Sequence, residues 1–330
     1  MSVDLIGSKR GQPIPHRYDL IVIGVSCTED IIGVPSLPAL DSHREIEILG
    51  RWRGVGGNGL NVAVHAARLG SAVALVSKIP RTISQEVYAA LDAAGVDGTF
   101  LVPEPCRPAP DVLLVTDALG EYSVLVSDRS GLAFIPNDVG PQTHLNASYV
   151  HIDGFTLGAL GGDSQLQAAG RWLALAKGSP AVLSIDLNRA ICDSQPGRVR
   201  EIVSQADILF ANAYEAKAVA GGADAEAAAR NLVDAGVQAV VVKDGSAGLI
   251  CATSESLELV PAMALPFVDS IGAGDGVAAG TLHGLGRGLH LTEAARYGAA
   301  VAALVCTGHG SQGAVFDAAE VERLVEKRWK

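Results

Sequence analysis

Short apolar segments alternate with helical patterns along most of this 330-residue chain. The apolar runs of strand length lie at 18–24, 72–77, 149–153, 181–186, 207–211 and 239–243. Helices are predicted at 58–69, 84–94, 164–177, 197–205, 214–220, 224–235 and 317–328. Fully apolar strands that alternate with helices are typical of a parallel sheet covered on both faces. The expected fold class is therefore α/β, with a doubly wound, mostly parallel central sheet and helices on both faces.

Two segments depart from this pattern. Residues 31–53 contain the alternating polar and apolar run Arg44–Leu49, and residues 111–127 have the pattern of a hairpin that turns at 118–120. Such alternation marks strands with one face in water. We expect the two segments to pair into a small β-sheet that projects from the main sheet as a lid. Since the chain shows no internal repeat and no low-complexity linker, residues 1–330 are expected to form a single domain.

The overall composition excludes several classes of protein. Hydrophobic residues make up 48% of the chain and charged residues 18%, which is typical of a globular protein. The net charge of −11 argues against a nucleic-acid partner, because phosphate backbones bind basic surfaces. No apolar run reaches the length of a signal peptide or a membrane span, and the five cysteines are scattered without a CxxC pair. We therefore expect a cytoplasmic protein without membrane contact.

The segment Asp269–Gly276 (DSIGAGDG) precedes a predicted helix and has the chemistry of an anion site. Because Gly272, Ala273 and Gly274 carry almost no side chain, their N–H groups can point at one ligand near the positive helix end. Asp275 lies within this turn. A carboxylate in a phosphate-binding turn is suited to accept a proton while a phosphoryl group moves. The alternative is a helix that its N-terminal Asp merely stabilises.

Two motifs near the N-terminus suit a hydroxyl-rich ligand. Gly56 and Gly57 in GGNGLN allow close approach to the backbone, and Asn61 offers both a donor and an acceptor. Asp30 follows the first strand, in a loop without the G-x-G-x-x-G pattern of dinucleotide sites, and its carboxylate can accept hydrogen bonds from two sugar hydroxyls. A glycine-rich turn and a solvated loop acid are the alternatives.

Two later motifs suit a nucleotide and its metal. Asn212 and Glu215 lie three residues apart at a predicted helix start, where they suit a hydrated Mg²⁺ and also a helix capping box. The segment Lys243–Gly248 (KDGSAG) lies between two apolar runs. It is either a hairpin turn or the border of a nucleotide phosphate.

In this order and spacing, the motifs resemble those of the ribokinase-like (PfkB-type) family of carbohydrate kinases. The resemblance rests on an early Asp, GGNGLN, NAYE, KDGSAG and DSIGAGD, and it runs from about Asp19 to the last helix. It implies a doubly wound domain with a small β lid. It also implies transfer of the γ-phosphoryl group of ATP to a hydroxyl of a small sugar or nucleoside, with Mg²⁺.

The resemblance further implies roles for individual residues. Asp275 would be the base, and the anion hole would be formed by Gly272, Ala273 and Gly274. The substrate-binding residues would be Asp30, Gly56, Gly57, Asn61 and Asp153. The nucleotide-binding residues would be Asn212, Lys243, Gly245, Gly248 and Gly298. Asn212 and Glu215 would hold Mg²⁺ through water, and a potassium site is implied at Asp269, Ile271 and Gly310.

Three departures from the family pattern leave the substrate open. Asn58 replaces a lysine of many ribokinases, Lys78–Thr82 replaces an acidic segment, and Arg189 stands one position early for a D-x-N-x-R motif. A nucleoside kinase of the same fold and a catalytically silent ligand-binding protein remain alternatives. A homodimer is also open, since an apolar lid face would suit self-association.

Overall fold

The computed structural model describes residues 17–38, 45–140, 145–160 and 162–329. The strands are Tyr18–Ile23 (β1), Cys27–Gly33 (β2), Gly50–Gly56 (β3), Val73–Val76 (β4), Lys78–Pro80 (β5), Val102–Glu104 (β6), Val112–Thr116 (β7), Tyr122–Val126 (β8), Ala147–Asp153 (β9), Val182–Asp186 (β10), Ile208–Asn212 (β11), Ala239–Lys243 (β12), Leu249–Thr253 (β13) and Leu257–Val260 (β14). The α-helices are Asn58–Arg68 (α1), Ser84–Ala94 (α2), Asp163–Gly178 (α3), Arg189–Ser194 (α4), Pro196–Val203 (α5), Ala213–Ala220 (α6), Ala225–Asp234 (α7), Ala273–Gly286 (α8), Leu291–Val305 (α9) and Ala318–Trp329 (α10).

An eight-stranded sheet lies at the centre of the molecule, in the order β14-β13-β12-β11-β10-β9-β1-β4. The strands from β4 to β12 in this order run parallel, whereas β13 and β14 continue the sheet in antiparallel pairing. In β1, for example, Ile21 lies between Ala74 of β4 and Val150 of β9. The predicted mostly parallel sheet is confirmed, and each of its predicted strands is present.

Buried side chains cover both faces of this sheet. One cluster, which includes Trp172 and Leu183, packs α3, α5 and α7 against the first face. The other, which includes Leu60 and Phe210, packs α1, α2, α8 and α9 against the second. Because burying one large apolar side chain stabilises the fold by roughly 1.5–3 kcal/mol, these two layers hold the helices in place. The doubly wound arrangement is therefore confirmed.

A separate four-stranded sheet has the order β3-β2-β7-β8, and we call it the small sheet. Strand β2 pairs antiparallel with β3 and parallel with β7. Strands β7 and β8 form a hairpin whose turn contains Gly120 at a φ of 78°, a left-handed conformation that favours glycine. Strands from the two segments that broke the main pattern thus lie in one sheet.

The alternating run at 44–49 is not one of these strands. Residues 45–49 have no regular structure, and Ile48 and Leu49 are each 59% exposed. Strand β2 begins at Cys27, earlier than predicted, and its pairing with β3 ends at the Gly33–Gly50 pair. Alternation produces a strand only where a neighbouring strand pairs with it, and β2 has already ended at this point. Residue 44 lies outside the described residues.

Helix α1 begins after a glycine in a left-handed conformation. Gly57 is its N-cap, at a φ of 94°. A Cβ on Gly57 would lie 2.7 Å from the carbonyl oxygen of Val25, so glycine is required there. The side chain of Asn58 consequently serves the site described below. In the described ranges, no helix is both long and apolar enough to cross a membrane.

Candidate active site

Four parallel strands end in polar residues at one edge of the main sheet. Asp153, Asp186, Asn212 and Lys243 are the last residues of β9, β10, β11 and β12. In open α/β sheets, ligands bind outside this carboxyl edge. Helix α8 begins at the same edge, since a Cβ on Gly274 would lie 3.3 Å from Nζ of Lys243. The structure therefore brings the predicted anion turn next to the ends of the parallel strands.

The first turn of α8 starts from a glycine in a left-handed conformation. Gly272 is the N-cap at a φ of 79°, and a Cβ there would lie 2.6 Å from the Cβ of Ser311. Both facts require glycine at position 272. The turn can therefore approach a ligand without an intervening side chain.

The N–H groups of this turn differ in whether a backbone carbonyl already accepts their hydrogen bond. Ala273 donates its N–H to the carbonyl of Ser270 at 3.2 Å. The N–H groups of Gly274 and Asp275 belong to the first helical turn, where N–H groups point beyond the helix end and carry partial positive charge. Gly274 and Asp275 are thus better placed than Ala273 to bind phosphate oxygens.

Two asparagine amides hold the carboxylate of Asp275. Asn58 Nδ2 donates to Oδ1 at 2.9 Å, and Asn61 Nδ2 donates to Oδ2 at 2.7 Å. Asp275 is 6% exposed. Burial raises the pKa of Asp275 to about 7; the bond from Asn61 opposes this rise, and the negative charge of Asp186 adds to it. A carboxyl group with a pKa near neutrality is suited to general base chemistry.

The amide of Asn61 is engaged on both sides. Its nitrogen donates to Asp275, and its oxygen accepts from Nε2 of Gln312 at 3.1 Å. Gln312 lies in the turn before α10, which the sequence analysis did not connect with the site. The position of Asn61 beside Asp275 leaves its role in substrate binding a prediction.

Glu29 also lies at this site. Its Oε2 accepts from Oγ of Ser311 at 3.0 Å, and its Oε1 accepts from the N–H of Gly57 at 3.2 Å. A Cβ on Gly56 would meet this carboxylate, so the glycine pair makes room for the acid. Burial raises the pKa of Glu29, against the bonds from Ser311 and Gly57. The sequence analysis missed Glu29, although the alternation in CTEDIIG puts it on the buried face of β2.

Asp30 lies on the other face of β2, and the structure does not bring it to the site. It stands opposite Arg53 of β3, whose Nη1 lies 3.6 Å from Oδ2 of Asp30. Nη2 of Arg51 donates to its Oδ1 at 3.1 Å. Successive side chains of a strand point to opposite faces, so Glu29 and Asp30 cannot both reach the cleft. Glu29, and not Asp30, is the acid of β2 that lies next to Gly57.

Asp153 binds the backbone. Its Oδ2 accepts from the N–H of Val25 and its Oδ1 from the N–H of Thr156, each at 2.8 Å. A Cβ on Gly24 would lie 2.7 Å from Oδ2. Burial raises the pKa of Asp153 to about 6, although these N–H donors oppose the rise. Through these two bonds Asp153 positions the loops after β1 and β9, and its role in substrate binding stays a prediction.

Lys243 forms a buried ion pair with Asp186. Its Nζ donates to both carboxylate oxygens, at 2.7 and 2.8 Å. Burial alone would lower the pKa of Lys243, but the carboxylates of Asp186 and Glu215 outweigh it and raise the pKa. The ammonium group therefore stays charged beside the first turn of α8. The sequence analysis included Lys243 but assigned no role to Asp186.

Asn212 and Glu215 form the capping box of α6. The side chain of Asn212 accepts from the N–H of Glu215, and Oε2 of Glu215 accepts from the N–H of Asn212, both at 2.8 Å. Burial raises the pKa of Glu215 to about 7, and the nearby Lys243 opposes the rise. The Glu215 carboxylate also accepts a hydrogen bond from the N–H of Arg189, and its role toward a hydrated metal stays a prediction. Within the described ranges, no three acidic, His or Cys side chains cluster as a direct metal site.

Three glycines predicted to bind nucleotide have other reasons for being glycine. Gly245 and Gly248 have φ values of 54° and 102° in the turn that joins β12 to β13, so the hairpin interpretation of this segment is confirmed. A Cβ on Gly298 would lie 2.7 Å from the carbonyl oxygen of Val277. Gly298 therefore lets α9 pack closely against α8, inside the helical layer. The role of Gly298 in nucleotide binding stays a prediction.

The residues predicted to bind potassium lie together. Oδ1 of Asp269 accepts from the N–H of Ile271 at 3.0 Å, and Oδ2 accepts from the N–H of Gly310 at 2.9 Å. Asp269 is fully buried, and His309 Nδ1 lies 3.8 Å from Oδ2. Burial raises the pKa of Asp269, against the two N–H bonds. A buried carboxylate with neutral donors on both oxygens fits a neighbouring monovalent cation.

The small sheet touches the main body near this same loop. The rings of Trp52 and His309 stack with centroids 3.5 Å apart. Ile31 packs with Ile271, next to the anion turn. At the hairpin tip, the ring of Phe267 lies against Gly120. These contacts place the small sheet beside the first turn of α8.

Comparisons with known proteins agree with this geometry. A model of the pfkB family of carbohydrate kinases matches residues 26–317. A cytidine kinase from Thermococcus kodakarensis is 29% identical over 253 residues, 74% of this chain and 84% of its own. A 5-dehydro-2-deoxygluconokinase from Bacillus subtilis is 26% identical over 324 residues, 94% of this chain and 96% of its own. A protein assigned as ribokinase II from E. coli, solved with ATP and Mg²⁺, has a TM-score of 0.78 at 19% identity and covers 94% of this chain and 99% of its own.

Proposed function

The chain belongs to the pfkB family of carbohydrate kinases, and from that premise we propose that it transfers the γ-phosphoryl group of ATP to a hydroxyl group of a small sugar. Its family and relatives make it a carbohydrate or nucleoside kinase. The observation that supports the proposed phosphoryl transfer is the buried carboxylate of Asp275 in the first turn of α8. It combines a proton acceptor with a positive helix end that suits phosphate.

In this proposal, Asp275 takes the proton of the acceptor hydroxyl as that oxygen attacks the γ-phosphorus. The new oxygen–phosphorus bond forms, the bond to the β,γ-bridging oxygen breaks, and ADP leaves. The turn of Gly272, Ala273 and Gly274 forms the anion hole, with most of the stabilisation from the N–H groups at 274 and 275. Lys243 adds a fixed positive charge beside it. Catalysis of this kind rests on positioning and electrostatics.

ATP and Mg²⁺ are the proposed cofactors, as in the E. coli protein of the same fold. The fit to Mg²⁺ rests on the Glu215 carboxylate and the Asn212 amide oxygen, which lie at the carboxyl edge of the main sheet near Lys243. Such a pair suits a metal that keeps several waters. When bound, Mg²⁺ neutralises phosphate charge. The turn at Gly245 and Gly248 is proposed to border the nucleotide.

A monovalent cation at Asp269 is a further part of the proposal. The fully buried carboxylate and its contacts with Ile271 and Gly310 support it. The test is the rate in K⁺ against the rate in a bulky organic cation at equal ionic strength. We expect a lower rate without K⁺, and Asp269→Asn should abolish the difference. Equal rates in the two salts would contradict the site.

The acceptor is proposed to bind between the small sheet and the edge of the main sheet. Glu29, Gly57 and Asn61 border this space and surround Asp275. The small sheet would close over the substrate as a lid, which keeps water from the transferring phosphoryl group. Residues on the face toward the cleft would then affect acceptor binding, and residues on the outer face would not.

The nucleoside kinase alternative is supported by the likeness to a cytidine kinase. A coupled ADP-release assay against a panel of sugars, sugar acids and nucleosides distinguishes the two. We expect the highest kcat/KM with a sugar-type acceptor. A preference for nucleosides would support the alternative, and ATP turnover with none of the acceptors would support a silent ligand-binding protein.

A homodimer is also proposed, through the free edge of the small sheet. Strand β8 is exposed along most of its length, and Val124 and Leu125 are 47% and 58% exposed. Exposed apolar edge strands favour pairing with another chain. Light scattering of the purified protein should give twice the chain mass, and Leu125→Glu should return it to the monomer. A monomeric parent protein would contradict the proposal.

A further inference from the structure

Arg129 is a half-buried guanidinium close to the small sheet. It follows the end of β8 by three residues, and its guanidinium carbon lies 5.4 Å from the centre of the Phe155 ring. The neighbouring acid, Asp128, is engaged within its own turn. Its Oδ1 accepts from the N–H of Ser130 at 2.9 Å and its Oδ2 from the Ser130 hydroxyl at 2.6 Å. Among the residues that the structure describes, no carboxylate forms an ion pair with Arg129.

This arginine lies on the acceptor side of the cleft. Phe155 comes two residues after the end of β9 and packs with Val25 and Cys27, at the carboxyl edge of the main sheet. The thiol of Cys27 is within electrostatic range of Arg129, Glu29 and Asp275 together. The guanidinium of Arg129 and the proposed base therefore border the same small region.

An unpaired cation at this place requires an explanation. Burial lowers the pKa of Arg129, which means that its charge is partly removed from water without a compensating anion. The other cation of the cleft, Lys243, is already bound by Asp186. The Phe155 ring holds the guanidinium in place but does not neutralise it. A ligand carboxylate would do so, because the planar guanidinium donates two parallel hydrogen bonds to it.

We propose that Arg129 binds a carboxylate group of the acceptor, so that the preferred substrate is a sugar acid and not a neutral sugar or a nucleoside. This inference rests on the proposed kinase function and narrows its substrate class. The guanidinium holds the acid group at one end of the substrate, and a hydroxyl group farther along reaches Asp275. The acceptor thereby adds the negative charge that the neighbourhood of Arg129 lacks.

The test compares five- and six-carbon sugar acids, each beside the neutral alditol of the same hydroxyl pattern, in the ADP-release assay. The parent should prefer the acids by about tenfold or more in kcat/KM. Arg129→Gln should lower kcat/KM for the acids by about 10- to 100-fold, through KM, and leave the KM for ATP within about twofold. Arg129→Lys keeps the charge but cannot donate two parallel hydrogen bonds, so its kcat/KM for the acids should lie between those of the parent and Arg129→Gln.

Arg51→Gln is the matched control. It removes the same charge from the small sheet, but Arg51 is 66% exposed and pairs with Asp30 on the outer face. Its kinetic constants should stay within about twofold of the parent values. A parent that prefers the neutral alditols or nucleosides, or an Arg129→Gln variant with an unchanged KM for acids, would overturn the proposal.

A failure of the kinase function itself has a different signature. If the parent turns over none of these acceptors, calorimetry with the same acids replaces the assay. Binding to the parent and to Arg51→Gln, but not to Arg129→Gln, would support the carboxylate site even without catalysis. Absence of acid binding to the parent would overturn it.

Discussion

The first turn of α8 and the small sheet face the same cleft but are built in opposite ways. Asp275 is 6% exposed and is held by Asn58 and Asn61. The small sheet is exposed along β8, and it meets the main body through a few contacts such as the stack of Trp52 on His309. Regions with few buried contacts open at low free-energy cost. The proposed transfer chemistry would therefore be preorganised, whereas the proposed acceptor recognition would depend on a sheet that is held by few contacts.

The largest effect is expected at the preorganised side. Asp275→Asn should lower kcat by roughly two to four orders of magnitude, because the general base is lost while the shape of the turn is kept. ATP binding, measured by calorimetry, should change little. Asp163→Asn, in the exposed first turn of α3, is the control and should retain the parent rate. A near-parent rate in Asp275→Asn would remove the distinction between the two regions.

The same substitution, which lowers the rate, should increase the stability of the fold. The folded-state pKa of Asp275, about 7, lies above the usual value of 3.8, so this carboxyl group opposes folding increasingly from about pH 4 upward and fully above about pH 7. Asp275→Asn should therefore raise the free energy of unfolding by about 1–2 kcal/mol at about pH 8, and by less at about pH 5. Urea unfolding at the two pH values measures this. A loss of stability at pH 8 would mean that the carboxylate is a structural group.

A smaller effect is expected at the ion pair beside the turn. Asp186→Asn removes the negative charge and one of the two oxygens that accept from Lys243, and so lowers the pKa of that lysine. We expect kcat to fall about 10- to 100-fold. The basic limb of the pH–rate profile should also move to lower pH, which a purely structural defect would not produce. An unchanged profile would show that Asp186 acts only in packing.

Glu29 and Asp30 are neighbouring acids of β2, and substituting each in turn compares the two faces of the small sheet. Glu29→Gln should raise the KM for the acceptor by about tenfold, since Glu29 faces the cleft and charge-assisted hydrogen bonds contribute about 1.5–3 kcal/mol. Asp30→Asn, on the outer face, should change it by less than about twofold. The KM for ATP is the internal reference. The reverse order of the two effects would mean that the sheet presents its other face to the substrate.

The smallest effect is expected where the small sheet rests on the main body. Trp52→Ala removes the stack with His309 and should raise the acceptor KM by about three- to tenfold with a lesser change in kcat. Leu119→Ala, at an 80% exposed position of the hairpin tip, is the control. Equal effects of the two substitutions would show that this stack does not hold the sheet.

The sequence predicted the main sheet well because each of its strands carries a local signal. Buried strands such as Ala239–Lys243 are continuous apolar runs, and Gly95 ends α2 in the predicted left-handed conformation. The anion turn was predictable for the same reason, since Gly272 and Asp275 stand only three residues apart. Local patterns of this kind need no knowledge of distant parts of the chain.

The rest of the site depends on contacts between distant segments. The choice between Glu29 and Asp30 is set by which face of β2 packs against Gly57, and this follows from where β2 begins. Ser311 and Gln312 reach the site across more than 250 residues of sequence. Gly298 is predicted to bind nucleotide from the resemblance alone, and in the structure a side chain there is excluded because α8 passes close to it. No local pattern contains the contacts of Ser311, Gln312 and Gly298.

The pH dependence of kcat/KM for the parent enzyme tests the central claim most directly. If Asp275 is the base, the active form is the ionised carboxylate, so kcat/KM should fall about tenfold per pH unit below about pH 7 and level off above it. Asp30→Asn should keep this limb unchanged, because Asp30 lies on the outer face of the small sheet. A profile that stays flat from about pH 5 to about pH 8 would contradict the account, since a buried base with a pKa of about 7 cannot remain ionised across that range.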